Sequence, residues 1–422
     1  MNARKPGLLL LAFLSLSLIA GCGNRREPDH LAFDMGDGLD LTKDGKLEVS
    51  FQIAIPSGFG GGENAWGGGG GSQEAYELTS AAGINIYDAM RNAQKELSRE
   101  LFPGHREVIL IGQRLAERGI PRLLDQFVRN PRSELRSKLF VVKDAQAKDV
   151  LKQKAIFEPF TAMAIKRQED IYRLRYVYFH DFLSDTLTEG LDPYVPAIGL
   201  TARSKPYYYG SAVFNKAMGL RMVGFLDDNE TIYANWITGK QDGYESSLPI
   251  GGSAKDTISV TFESLRKSIR TRIARNRITV DLRLSGNGAI VENNSSLNPT
   301  LAADRHAIEQ ALNGKTKREI EALIAKVQRE YRADIFGFGE ALHRQHPVQW
   351  KTVSGNWNDR FAELQVAVQV KLTCVRNSGL VTSPIDEHGS VQPADREEGS
   401  EHAGKGTHDA LGNAARLDAA DH

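Results

Sequence analysis

The chain has 422 residues, 41% of them hydrophobic and 25% charged, enough to bury substantial cores in two or three domains. Its 53 basic and 53 acidic side chains cancel, which excludes a global electrostatic pull towards nucleic acid or anionic lipid. The only cysteines are Cys22 and Cys374.

At the N-terminus, Arg4 and Lys5 precede an unbroken run of apolar and small residues over 8–20. That run is too short to cross a hydrocarbon core, which takes about 20 helical residues. A basic start, a short apolar run and small residues at its end describe a secretory signal peptide over 1–21. The run closes on Ile19-Ala20-Gly21-Cys22, which resembles a bacterial lipobox, so Cys22 is the expected site of diacylglyceryl attachment after cleavage. Its thiol is the nucleophile, and the small neighbours let a peptidase approach the backbone. The plainer alternatives are a cleaved signal beside a chance cysteine, or a short uncleaved anchor. With lipid on Cys22, everything from Gly23 onward lies outside the cytoplasm on a membrane surface. Cys374 is then unpaired, and no disulfide framework supports the body.

The mature chain opens on a charged tether, NRREPD (24–29). After a short strand at 31–33, Gly36, Gly38, Asp40 and Asp44-Gly45 predict turns. Asp34, Asp37 and Asp40 lack the ligand order and the bidentate Glu of an EF-hand, so a solvated acidic turn is expected rather than calcium. Leu47, Val49, Phe51, Ile53 and Ile55 alternate with Glu48, Ser50, Gln52 and Ala54, which predicts a half-buried strand ending at Pro56. Residues 58–72 (GFGGGENAWGGGGGS) form a glycine-rich loop without the Gly-Lys-Ser or Gly-Lys-Thr of a phosphate cradle. Trp66 stands alone there, either stranded in solvent or a contact for a partner. Next come a short strand at 76–80, a helix over 86–101 and a fully apolar strand at 108–111. A helix over 115–128, interrupted near Gly119-Ile120-Pro121, leads to a buried strand at 139–142 and a helix beginning at 145–151. That alternation predicts a layered α/β domain.

FPGHREVILIGQRLAERGI (102–120), LLDQFVRNPR (123–132) and LFVVKDAQAKDVL (139–151) resemble the Ger(x)C family. These are the lipoprotein C subunits of the nutrient receptors of bacterial endospores. The tether Asn24-Arg25-Arg26-Glu27 and the spacing of Gly36, Gly38 and Asp40 fit as well, with Asn24 where the family often has Asp.

Residues 154–175 read as partly helical. The stretch 181–197, with Pro193 and Pro196, followed by 202–206, reads as a crossing to a second domain. GSAVF (210–214) and LRMVGFL (220–226) predict a hairpin and resemble the middle of the same family; Trp236 lies in an apolar patch over 229–239. Residues 257–262 alternate, as do Ile278, Val280, Leu282 and Leu284 with Thr279, Asp281 and Arg283. Between them lie Arg266, Lys267, Arg270, Arg272, Arg275 and Arg277. A basic strand pair can hold phosphates or anionic headgroups, but alternating Arg is more often a solvated sheet face, and no interleaved aromatics favour nucleic acid. Ile308, Leu312, Ile320, Leu323, Ile324, Val327 and Tyr331 mark the apolar face of a long helix. It leads into ADIFGFGEALHRQHPVQW (333–350), Trp357 and the alternating strand Leu364-Val366-Val368-Val370-Leu372. DIFGFGEALHR, with His346-Pro347 and the tryptophans after it, is the most specific of the Ger(x)C blocks, which together span about 22–376. Residues 383–422 carry almost no large apolar side chains, which predicts disorder.

Glu340, His343 and His346 fall at i, i+3 and i+6, and a carboxylate with two histidines can hold zinc. HExxH is absent and no nearby Asp or Cys completes a site, so a polar helix surface is expected and no metal. His105 reads as a hydrogen-bonding residue at a sheet end. No Gly-x-Ser-x-Gly elbow is present, Cys374 lies inside a strand, and Gly337-Phe338-Gly339 lacks the remainder of a dinucleotide fingerprint. No catalytic constellation stands out, so neither an enzyme nor a cofactor is expected.

The resemblance implies an α/β fold (mixed α+β) of three domains, each a mixed β-sheet with helices packed on it. The boundaries read as a signal peptide at 1–21, domains at 22–200, 206–255 and 256–377, and a tail at 378–422. It also implies a lipid-anchored C subunit on the outer face of the spore inner membrane, beside the A and B subunits of a nutrient germinant receptor. Such a subunit acts through protein–protein contacts. The alternative is a lipid-anchored extracytoplasmic solute-binding protein, though no internal duplication suggests two similar lobes. An extracellular hydrolase would lack a site.

Overall fold

The computed structural model describes residues 27–55, 75–130, 133–171, 178–250, 255–275 and 277–374. Expectations for the signal peptide with Cys22, the glycine-rich loop with Trp66, and the C-terminal tail lie outside these residues. The described chain has a mixed α/β fold built on two sheets.

The larger sheet contains β1 (Leu31–Leu41), β2 (Leu47–Ala54), β3 (Tyr76–Gly83), β4 (Glu100–Phe102), β5 (Val108–Gly112), β6 (Lys138–Val142), β7 (Tyr194–Leu200), β8 (Pro206–Asn215) and β9 (Arg221–Asp227). Its order is β3-β2-β1-β5-β6-β7-β8-β9, with β4 beside the start of β1. The centre, β1-β5-β6-β7, is parallel and both flanks are antiparallel. The unbroken apolar runs of β5 and β6 reflect burial on both sides. Ile109, Ile111, Leu139 and Val141 face one core with α1 (Ile86–Gln94), α2 (Gln113–Arg118) and α3 (Pro121–Arg129). Val108, Leu110, Phe140 and Val142 face the other, under α4 (Ala147–Leu151) and α5 (Thr161–Ile171). A further helix, α6 (Phe179–Leu187), adds Phe179 and Phe182 to the first core.

The stretch expected as a crossing between domains, 181–197 followed by 202–206, instead holds most of α6 and the start of β7, and residues 201–205 turn β7 back into β8 as a hairpin. Thr201 N donates to Lys205 O at 2.9 Å. A polar turn of this composition looks the same in sequence whether it joins two strands or two domains. The segment 206–255 is accordingly shared between the sheets: β8 and β9 extend the large one, while residues 244–249 form the first strand of the small one.

After α7 (Asp228–Thr238), whose capping box pairs Asp227 with Glu230, the small sheet is made of β10 (Tyr244–Pro249), β11 (Thr257–Ala274) and β12 (Arg277–Asn293). Then come α8 (Ala302–Lys326), a π-turn (Val327–Tyr331), α9 (Phe338–Gln345), α10 (Pro347–Val353), α11 (Trp357–Ala362) and the edge strand β13 (Gln365–Cys374), parallel to β12. Ile308, Leu312, Ile320, Leu323 and Ile324 on α8 lie over Val280, Leu282 and Leu284. The helices cover this one face of the small sheet.

Candidate functional site

The most distinctive stretch, 333–339, builds the joint between the two sheets. Asp334 is fully buried ahead of α9 and caps it from outside. Its Oδ1 accepts from Phe336 N and Phe338 N, both at 3.2 Å; its Oδ2 accepts from Gly339 N at 2.7 Å and Trp357 Nε1 at 2.9 Å. Gly337, the N-cap residue, has no side chain to perform this. Asp192, just before β7, closes a reciprocal pair with it. Asp192 N donates to Asp334 O at 2.8 Å, and Asp192 Oδ2 accepts from Asp334 N at 2.9 Å. Asn215, ending β8, donates to Tyr331 O and Arg332 O at 3.1 and 3.0 Å. Glycines let the backbones meet: a Cβ on Gly339 would stand 2.7 Å from Gly190 Cα. Glu189 accepts from Trp350 Nε1 at 2.7 Å beside them.

Burial pushes the Asp334 carboxyl up to about 7, against the pull of its N–H donors, and raises Asp192 as well. It lowers the Lys216 ammonium, which Asp192 partly restores. All four strong acceptor positions of Asp334 are already filled by the protein. The arrangement holds two bodies in register and offers no free base to a substrate.

A second buried network lies on β1. The predicted turn at 34–40 is absent; Asp34, Asp37 and Asp40 are buried along an 11-residue strand. Gly36 and Gly38 serve close packing there: a Cβ would lie 2.9 Å from Ala162 Cβ and 3.2 Å from Ala147 Cβ, respectively. Asp40 accepts from Ala147 N and Lys148 N at 2.9 and 3.0 Å, capping α4. Asp37 pairs with Arg106 at 2.8 Å, with side chains 2% and 4% exposed. Arg106 also donates to Ser133 Oγ and Ser137 Oγ, and its guanidinium sits 4.7 Å over the Phe127 ring. Burial, then the neighbouring Asp37, pushes the Asp34 carboxyl well above the usual carboxylate range. Sequence reading missed the β1 network, because an acidic residue among glycines has the composition of a turn. The one available signal for it was Arg106, a cation before a fully apolar strand.

Glu340, His343 and His346 do not converge. Glu340 meets Arg344 at 3.5 Å, His343 stacks on Trp350 at 5.5 Å near Glu189, and His346 Nε2 lies 3.1 Å from Thr271 O. Exposed His105 packs its ring on Phe33 and Phe102, without the hydrogen bond expected of it among the described contacts. Cys374 ends β13, its thiol pushed up to about 11 by burial. Among the described residues, the one cluster of three metal-capable side chains is Glu27, Asp29 and His30, all exposed, and no helix is long and apolar enough to cross a membrane.

The large-sheet body also carries two adjoining grooves of 730 and 600 Å³, which share Asn85, Arg122 and Gln126. Tyr87 lines the first, and Ile84 and Met218 the second; they are 70, 90 and 54% exposed.

Two family models account for most of the chain. The spore germination protein N-terminal domain matches residues 24–200, and the spore germination B3/GerAC like C-terminal domain matches 209–379. Spore germination protein KC of Bacillus subtilis (strain 168) is 27% identical over 408 residues, covering 90% of this chain and 98% of its own. Spore germination protein B3 of the same organism is 22% identical over 383 residues, covering 87% and 97%. The crystal structure of the GerBC protein shares the fold, with a TM-score of 0.53 at 19% identity over 81% of this chain and 97% of that one. The blocks that carry the resemblance supply Arg106, Gly36 and Gly38, and the Asp334 joint, so they encode the architecture itself. The chain belongs to the Ger(x)C family of spore germination proteins.

Proposed function

We propose that this protein is the lipid-anchored C subunit of a nutrient germinant receptor, needed for nutrient-triggered spore germination. The observation that carries the reading is the match of both family models, in order, over residues 24–200 and 209–379. In this reading a diacylglyceryl group on Cys22 holds the body to the outer face of the spore inner membrane, beside the A and B subunits. Its work there is contact rather than catalysis. Asp334 and Asp40 accept from N–H groups at helix starts and Asp37 pairs with Arg106, while the exposed Ile84, Tyr87 and Met218 offer apolar area to a partner.

The anchor is tested through Cys22. Two acyl chains give stable membrane residence where one gives marginal binding. Cys22→Ala should therefore leave the protein unprocessed or in the soluble fraction of disrupted spores, and should abolish its co-purification with the A and B subunits. A variant that remained mature, membrane-bound and associated with both would contradict the reading.

A further inference from the structure

Among the described residues, the helices of the C-terminal body all lie on one face of the small sheet and leave the other face uncovered. On β11, inward residues change parity at a bulge: Ile258, Val260 and Phe262 point to the core before it, Ile269 and Thr271 after it. Ser264, at φ 55, sits at that bulge. The shift turns Arg266, Arg270 and Arg272 outward. Register places them on the same face as Arg277 and Arg283 of β12 and Lys371 of β13. All six are exposed. One acid, Asp281, shares this part of the face and is paired with Arg272 at 2.5 Å. The other five have no carboxylate partner among the described residues. At its far end the same face turns acidic, with exposed Glu245, Glu263 and Glu292.

The chain leaves this sheet from its edge. Cys374, the last residue of β13, pairs with Gly288 of β12, at the acidic end of the face. The segment beyond carries the complementary charge: residues 383–422 hold nine carboxylates against three basic side chains. Four of the nine, Asp395, Glu397, Glu398 and Glu401, are clustered. From Gly288 to the middle of the basic patch at Asp281 is about 20 Å along the strand. The 12 to 27 residues that separate Cys374 from 386–401, counted at random-coil dimensions, would reach roughly 20–30 Å. Reach and charge therefore coincide, and the acidic end repels the tail towards the basic one.

We propose that the acidic C-terminal segment docks electrostatically on the basic open face of the small sheet, as an intramolecular occupant. The tether gives it an effective concentration of order millimolar without any folded contact. Any other anionic ligand of that face, whether a bilayer or an acidic protein, must displace it first. The contact is among screened surface charges, so it weakens as salt shortens the Debye length from about 10 Å at 0.1 M.

The test uses the full chain with a photo-crosslinking benzoylphenylalanine at Ala394 or Ala403, the crosslinked peptides being mapped by mass spectrometry. At low salt, crosslinks should concentrate on 264–285 and 365–374. Their yield should fall severalfold at about 0.5 M salt, and likewise in Arg270→Glu/Arg283→Glu, whose exposed positions leave the core intact. Charge reversal at Arg91 and Arg122, on the large-sheet body, should leave the yield unchanged. Crosslinks scattered over both bodies, or indifferent to salt and to charge reversal, would overturn the proposal. So would crosslinks formed only between chains, which would assign the tail to a second copy. A face that binds phosphatidylglycerol vesicles while the tail crosslinks elsewhere would assign it to a bilayer and equally overturn it.

Discussion

Asp334→Ala removes the acceptor that Phe336, Phe338, Gly339 and Trp357 share. Each buried donor left unsatisfied costs about 1–3 kcal/mol, and backbone relaxation recovers part of the sum. The expected net loss is about 3–5 kcal/mol, at the upper end for single substitutions. Asp334→Asn keeps the volume but turns one acceptor into a donor, so roughly half that loss is expected. The pH dependence separates this from a mere packing defect. Burial raises the native carboxyl from 3.8 to about 7. A raised folded-state value means that the group's contribution is fully present below the unfolded value and is lost as pH rises through the folded one. The gap between wild type and Asp334→Asn should therefore be larger at pH 4.5 than at pH 7.5, by on the order of a few kcal/mol. Urea unfolding of the two proteins at both pH values measures it. A loss below about 1 kcal/mol for Asp334→Ala, or a gap that does not change with pH, would refute the reasoning.

Two further substitutions probe the same architecture. Arg106→Met strands the Asp37 carboxylate beside Asp34 and should cost about 3–5 kcal/mol at neutral pH, with Arg106→Met/Asp37→Leu recovering much of it; equal losses for the single and double variants would rule out the ion pair as the cause. Gly190→Ala places a Cβ against the Gly339 backbone at a φ of +71° and should lower the melting temperature by several degrees, whereas an unchanged value would mean that the two bodies do not meet there as described.

The regular parts of the fold were legible because their periodicity is local. Ile278 to Leu284 alternate as a half-buried strand should, and the apolar runs at 108–111 and 139–142 lie between helix layers. Leu47 to Ile53 form the expected strand, but it is not half-buried: its polar side is covered too, with Gln52 donating to Leu151 O and accepting from Ala162 N. The joint was legible only as a family block, since its meaning depends on Asp192 and Asn215, more than a hundred residues away in sequence from Asp334 and Tyr331. Asp34, Asp37 and Asp40 were misread for a related reason. A buried carboxylate and a solvated one have the same letter, and what separates them is the helix N-terminus or guanidinium brought up by the fold. The basic alternation at 266–277 was read as a solvated sheet face, and its residues do point to solvent. The bulge that gathers them on one face with Arg283 and Lys371 is set by tertiary register.

The central claim is that the chain serves a receptor that starts germination in response to a nutrient. Calcium-dipicolinate release, followed after adding a panel of amino acids and sugars to wild-type and deletion spores, tests it most directly. The deletion should lose the response to one nutrient set, while growth, sporulation and germination by a trigger that bypasses receptors persist. Unchanged responses to every nutrient, in a strain stripped of redundant receptors, would contradict the claim. Equal loss of the receptor-independent response would contradict it too, by pointing to a general defect of the spore envelope.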